Sequence, residues 1–108
     1  MKTVITGVIS KIDDEQVKPN YRLRNIEITV KNFDRETGAA ISEEVFPMSV
    51  FNKKIDELKP LLKIDARVKV TAYLKSLKNE KDGKTFYNIA VNVSDMSDAS
   101  FRQVESTI

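Results

Sequence analysis

The stretch from Val45 to Lys63, VFPMSVFNKKIDELKPLLK, passes from one periodicity to another within a single residue. Phe46, Met48 and Val50 recur at every second position and line one side of a strand, whereas Ile55, Leu58 and Leu62 recur at three and four and line one side of a helix. Asn52 stands at the switch. Its side chain suits an N-cap that accepts from the free N–H groups of the first turn, and Asp56 and Glu57 follow near the positive end of the helix dipole. Pro60 has no N–H to donate and its ring clashes with the preceding turn, so a helix of about two turns, or a kinked one, is predicted over Asn52 to Leu62.

Working outward, the N-terminal side reads as three strands. Thr3 to Ile12 is rich in β-branched residues, with Gly7 predicting a bulge or bend. A polar loop, Asp13 to Asn20, leads to a strand over Tyr21 to Phe33, in which Ile26, Ile28 and Val30 face inward while Asn25, Glu27, Thr29 and Lys31 face out. The turn cluster Asp34 to Gly38 joins it to a third strand from about Ile41 to Phe51. Beyond the helix, Ala66 to Leu77 alternates with Val68, Val70, Ala72 and Leu74 on one face, and Asp82-Gly83 in the segment Lys78 to Lys84 predicts a hairpin to a last strand, Thr85 to Val93. There Tyr87, Ile89, Val91 and Val93 share the face assigned to the core. The expected interior is Val8, Ile26, Ile28, Phe46, Met48, Val50, Leu58, Val68, Val70, Leu74, Ile89 and Val91. Residues 1–93 form the domain and 94–108 a tail, in which Phe101, Val104 and Ile108 fall at helical spacing, so a short docked helix and a disordered segment both remain open.

A chain of 108 residues has the size of one domain with one modest core. It contains no Cys and no His, which removes disulfides, thiolate metal sites, the usual general base and the commonest metal ligand. The acidic groups Asp13-Asp14-Glu15, Glu43-Glu44 and Asp56-Glu57 lack the spacing of a metal site, since neighbours along a strand point to opposite faces. No P-loop, nucleophile elbow or catalytic carboxylate pair is present, so neither an enzyme nor a cofactor or small-molecule substrate is expected. No apolar run approaches the ~20 residues that span a bilayer, and a cytoplasmic location without membrane association is the expectation. Residues 1–93 carry 17 Lys and Arg against 13 Asp and Glu, a bias that suits a polyanionic partner.

Three strands, one helix and two strands match an all-β, five-stranded Greek-key barrel of the OB-fold, with the helix between strands three and four at one end. The segments ITGVISKI, FPMSVFNKKIDEL, ARVKVTAYLKS and DGKTFYNIAV also resemble the single-stranded-DNA-binding-protein type of OB-fold, and more closely a small bacterial family of such domains without an assigned function. The resemblance covers about residues 3 to 93. It implies binding of single-stranded DNA, or RNA, without strong sequence preference. Two features depart from it: the chain has no Trp for base stacking, and its end, QVESTI, is barely acidic where replicative relatives carry an acidic tail.

Single-strand binding combines a basic groove with exposed aromatic rings. An OB-fold uses its second and third strands and the loops after the first and fourth. On this chain that surface would hold Lys18, Tyr21, Arg22 and Arg24 from the first loop and strand entry, Lys31 and Phe33 from the second strand, and Tyr73, Lys75, Lys78, Lys81, Lys84 and Phe86 around the last hairpin. The plainer reading is that these cations solvate strands and discourage edge pairing. Tyr73 and Phe86 also suit burial under a loop or in a homodimer, and Phe51 fits either core or surface. The competing function is therefore a protein-interaction or assembly module that binds no nucleic acid.

Overall fold

The computed structural model describes residues 1–100. Its strands are β1 (Lys2–Ile12), β2 (Gln16–Val17), β3 (Arg22–Phe33), β4 (Ala40–Phe51), β5 (Arg67–Lys81) and β6 (Lys84–Asp98), with helix α1 (Lys53–Leu58) and a 3₁₀ turn (Lys59–Leu61) between β4 and β5. The two-residue β2 pairs with the start of β3 inside the loop read as irregular, so the helix falls between the fourth and fifth strands rather than the third and fourth. The five long strands keep the expected order. They run β1-β5-β6-β4-β3 around the wall, and β1 pairs with β3 to close it.

The switch at Asn52 folds as its periodicity predicts, with one change in the cap. Ile55, Leu58 and Leu62 are buried under the barrel, and Pro60 stands within the 3₁₀ turn after the α-helix ends. Asn52 makes no side-chain bond to the first turn. Its Oδ1 instead accepts the Arg22 backbone N–H at 3.0 Å, so the residue joins the helix to the start of β3. Gly7 is not the bulge either: the register shift in β1 comes between Ile9 and Lys11. Glycine is needed at position 7 because a Cβ there would lie 2.6 Å from the Thr29 carbonyl oxygen, where β1 crosses close over β3.

The interior contains Ile26, Ile28, Met48, Val50, Leu58, Val68 and Val70 as expected, together with Ile9, Ile55, Leu62, Ala72, Val93 and Met96. Val8 is replaced by Ile9, whose face matches Ile5, while Phe46 and Val91 pack at its margin and Leu74 is half-buried. Tyr87 and Ile89 leave the core altogether, at 70% and 71% exposure. Their parity is that of Val91 and Val93, but β5 and β6 are 15 residues each and run past the barrel, so the side chains of their outer portions stay exposed. A shift at Thr71/Ala72, where Asp95 and Val93 are the successive partners, leaves Ser94 as the extra residue. It sets Val93 and Met96 inward three positions apart and carries β6 on to Asp98, beyond the strand end read at Val93. The helical spacing of Phe101, Val104 and Ile108 lies outside the described residues.

Candidate nucleic-acid interface

β4 and β6 are parallel and meet at a single pair, Ser49 with Asn92. Counting back from that pair, Ala40 and Lys84 begin their strands at the same end of the barrel, so the β3–β4 and β5–β6 hairpins both extend from the end opposite α1. Each turn has the chemistry its sequence requires. Asp82 and Gly83 both hold positive φ, 54° and 75°, in a two-residue connection between Lys81 and Lys84, shorter than the loop read from Lys78 to Lys84. In the other, Asp34 Oδ1 accepts the backbone N–H groups of Glu36 and Thr37, which hold its carboxyl below the usual carboxylate range.

Where β4 and β6 part, a cleft of about 370 Å³ opens. Pro47, Met48 and Ser49 form one side, Ile89, Ala90 and Val91 the other, and the cleft continues over Asn25 and Glu27 to Lys11 and Asp13 at the first loop. Ser49 Oγ donates to Asn25 Oδ1 at 2.7 Å. Lys11 Nζ stands 3.8 Å from Asp13 and 3.7 Å from Glu27, so charge at this end is balanced. Free cationic charge lies instead on the β5–β6 hairpin, where Lys75, Lys78, Lys81 and Lys84 are exposed and Lys78 alone has a carboxylate partner among the described residues, Glu80 at 3.8 Å.

The twelve candidate side chains do not converge on one patch. Arg22 and Arg24 are at the α1 end and are engaged within the fold: Arg22 Nη2 donates to Asp56 Oδ2 at 2.8 Å and to the Asn52 carbonyl at 3.1 Å, and Arg24 Nε donates to the Asp13 carbonyl at 2.8 Å. The Asp56 hydrogen bond pushes the Arg22 guanidinium up and holds the Asp56 carboxyl below its ordinary value. Lys18 and Tyr21 are exposed beside this junction, with the Tyr21 ring tilted against Phe51 at 6.2 Å. Lys31 and Phe33 lie at the far end of β3, on a second depression of about 520 Å³ shared with Thr29, Glu43 and Arg67.

The last hairpin divides by face. Pairing of Tyr73 with Asn92, Leu77 with Asn88 and Asn79 with Phe86 puts Tyr73, Lys75, Leu77 and Phe86 on its outer face, where the Lys2 ammonium stands 5.7 Å from the Tyr73 ring centre. Lys78 pairs with Tyr87 and Ser76 with Ile89 on the inner face. Alternation alone assigns Tyr87 and Ile89 to the core and so hides them as surface residues. The useful signal is length, since 15-residue strands exceed what a small barrel can cover.

This barrel, with its cleft at the strand seam and its long hairpins, has the OB-fold architecture, five long strands closed into a Greek-key barrel with one helix at its end. Among solved structures it is similar to the small single-stranded DNA-binding protein from Streptomyces coelicolor, with a TM-score of 0.67 at 11% identity over 94% of this chain and 96% of that one. The mitochondrial single-stranded DNA-binding protein Rim1 of S. cerevisiae gives 0.63 at 21% identity over 92% and 94%. A deletion variant of the single-stranded DNA-binding protein from Thermus aquaticus gives 0.70 at 15% identity over 90% of this chain and 49% of that one. No protein-family model matches the chain, and no curated protein matches it in sequence. Among the described residues no group of three His, Cys, Asp or Glu could hold a metal ion, and no helix is long and apolar enough to cross a membrane.

Proposed function

We propose that this protein binds single-stranded nucleic acid, DNA before RNA, without strong sequence preference and without catalysing a reaction. The observation that carries the reading is the β5–β6 hairpin: four exposed lysines on an arm whose base forms one wall of the cleft at the β4–β6 seam. Phosphates would lie on Lys75, Lys78, Lys81 and Lys84, with Lys31 and Phe33 at the far end of β3 as a second contact. The fold neighbours are described as single-stranded DNA-binding proteins, which supports the same partner. Arg22 and Arg24 serve the fold in this reading, because Arg22 is held by Asp56 and the Asn52 carbonyl and Arg24 is tied through Nε to the Asp13 carbonyl. A cytoplasmic setting and a homodimer complete the proposal.

An assembly role has one observation in its favour, the outer stripe of Tyr73, Leu77 and Phe86, which shares its face with Lys75, Lys81 and Lys84, so that a dimer joined there leaves the inner face and Lys78 free. Titrating labelled single-stranded and duplex oligonucleotides at two salt concentrations separates the readings. Single strands are expected to be retained at low salt and released as salt rises. Changing Lys78 and Lys84 together to Ala should weaken binding to all sequences alike and lower the log–log salt slope by about one unit or slightly more, at roughly 0.7 for each phosphate no longer neutralised. A wild-type protein that retains no single strand at low salt leaves only the assembly role.

A further inference from the structure

We infer that the inner face of the β5–β6 arm is a base-stacking subsite, in which Tyr87 is the platform, Ile89 the apolar contact at the cleft mouth, and Lys78 the phosphate anchor beside the ring. This rests on the nucleic-acid reading above and names the residues that hold the bases. Tyr87 and Ile89 are 70% and 71% exposed, the two most exposed large apolar side chains of β6. They share one face of an extended strand, so they stand roughly 7 Å apart along it. Ile89 also lines the cleft, opposite Pro47. The pair thus leads from the open arm into the place where the barrel wall parts between β4 and β6, which meet at a single residue pair among the described residues.

A cation beside an exposed ring selects the occupant. Lys78, the one lysine of the arm on this face, is the direct cross-strand partner of Tyr87, with Cβ atoms about 5 Å apart in such pairs. Its ammonium stands 3.8 Å from the exposed Glu80 carboxylate, whereas Lys75, Lys81 and Lys84 fall on the outer face. An ammonium group on a four-carbon stem beside an exposed ring can meet the phosphate of the nucleotide whose base lies on that ring. The outer face is different. Its Tyr73 ring already faces the Lys2 ammonium, and Leu77 and Phe86 have no cleft beside them among the described residues.

The test is anisotropy of a labelled oligothymidylate of about ten nucleotides, short enough to occupy one barrel, read at two salt concentrations. Tyr87→Ala should weaken binding by about fivefold to a hundredfold without altering the salt slope, the behaviour of a missing stack rather than of a missing phosphate charge. Tyr87→Phe should bind within about twofold of wild type because the ring face is kept, and Phe86→Ala should do the same because its face is not used. Thermal melting of each variant, expected to be unchanged at so exposed a position, excludes unfolding as the cause. If wild type is retained but Tyr87→Ala binds equally well, or Phe86→Ala is the variant that loses affinity, the subsite is wrong and the function stands. If wild type itself is not retained at low salt, both fall.

Discussion

Asn52 holds φ 53° and ψ −130°, a backbone that residues with a side chain rarely occupy, at the point where β4 becomes α1. The strain persists because its neighbours require it. Its Oδ1 accepts the Arg22 backbone N–H, and its carbonyl accepts both Arg22 Nη2 and the Ile55 N–H. Asn52→Ala keeps the strain and strips the Arg22 N–H of its acceptor, so it should destabilise by about 1–2 kcal/mol in urea titrations. Asn52→Gly relieves the first effect and should cost less. The same junction responds to acid. Arg22 holds the Asp56 carboxyl below its ordinary value by a hydrogen bond, and Ser100 does the same for Asp98. A carboxyl with a depressed folded pKa binds its proton more readily in the unfolded chain, so its stabilisation is complete above about pH 4 and is lost as pH falls through the depressed value. Urea midpoints should therefore drop below pH 4, and by a smaller step in Asp56→Asn, which no longer has that proton to bind.

At the scale of elements, the strands were legible wherever a period of two met a neighbour able to cover it. Ile26 and Ile28 on β3, Met48 and Val50 on β4, and Val68 and Val70 on β5 are buried as alternation predicts. Alternation misleads where the physical condition changes. Ser94 shifts the phase in β6 and hides Met96, while the arm beyond Leu74 and Val91 keeps the alternation after the barrel has ended. Phe46 shows the same effect in milder form, since its ring packs at the edge of the core rather than within it. The candidate interface was half legible: lysines on the last hairpin could be read as exposed, but the use of Arg22 and Arg24 in long-range bonds to Asn52, Asp56 and Asp13 could not. Two isoleucines with identical sequence credentials make the difference measurable. Ile28→Ala opens a cavity at a fully buried site and should cost about 2–5 kcal/mol, whereas Ile89→Ala should stay within about 0.5 kcal/mol in the same urea titration.

Residues 1–100 together measure 55 × 33 × 23 Å, with a radius of gyration of 16.4 Å. A spherical domain of this length has about 13 Å, and the excess belongs to the hairpins that extend from one end of the barrel. Such arms expose both faces. The inner one faces the seam cleft, and the outer one continues the wall made by β1 and β5, where Val4, Tyr73, Leu77 and Phe86 are 55%, 48%, 41% and 50% exposed. Apolar side chains grouped on a flat sheet face bury best against a matching face, and a second copy supplies one with the same stripe. A stable interface takes roughly 800 Å² from each partner, an area within reach of a sheet face that runs from β1 to the end of the arm. Light scattering should accordingly return twice the 12.3 kDa chain mass at micromolar concentration. Phe86→Glu, which places charge within the stripe and leaves the barrel core untouched, should return the monomer mass with unchanged thermal melting. A wild-type protein that scatters as a monomer at high concentration would remove the second copy and leave the outer face without a partner.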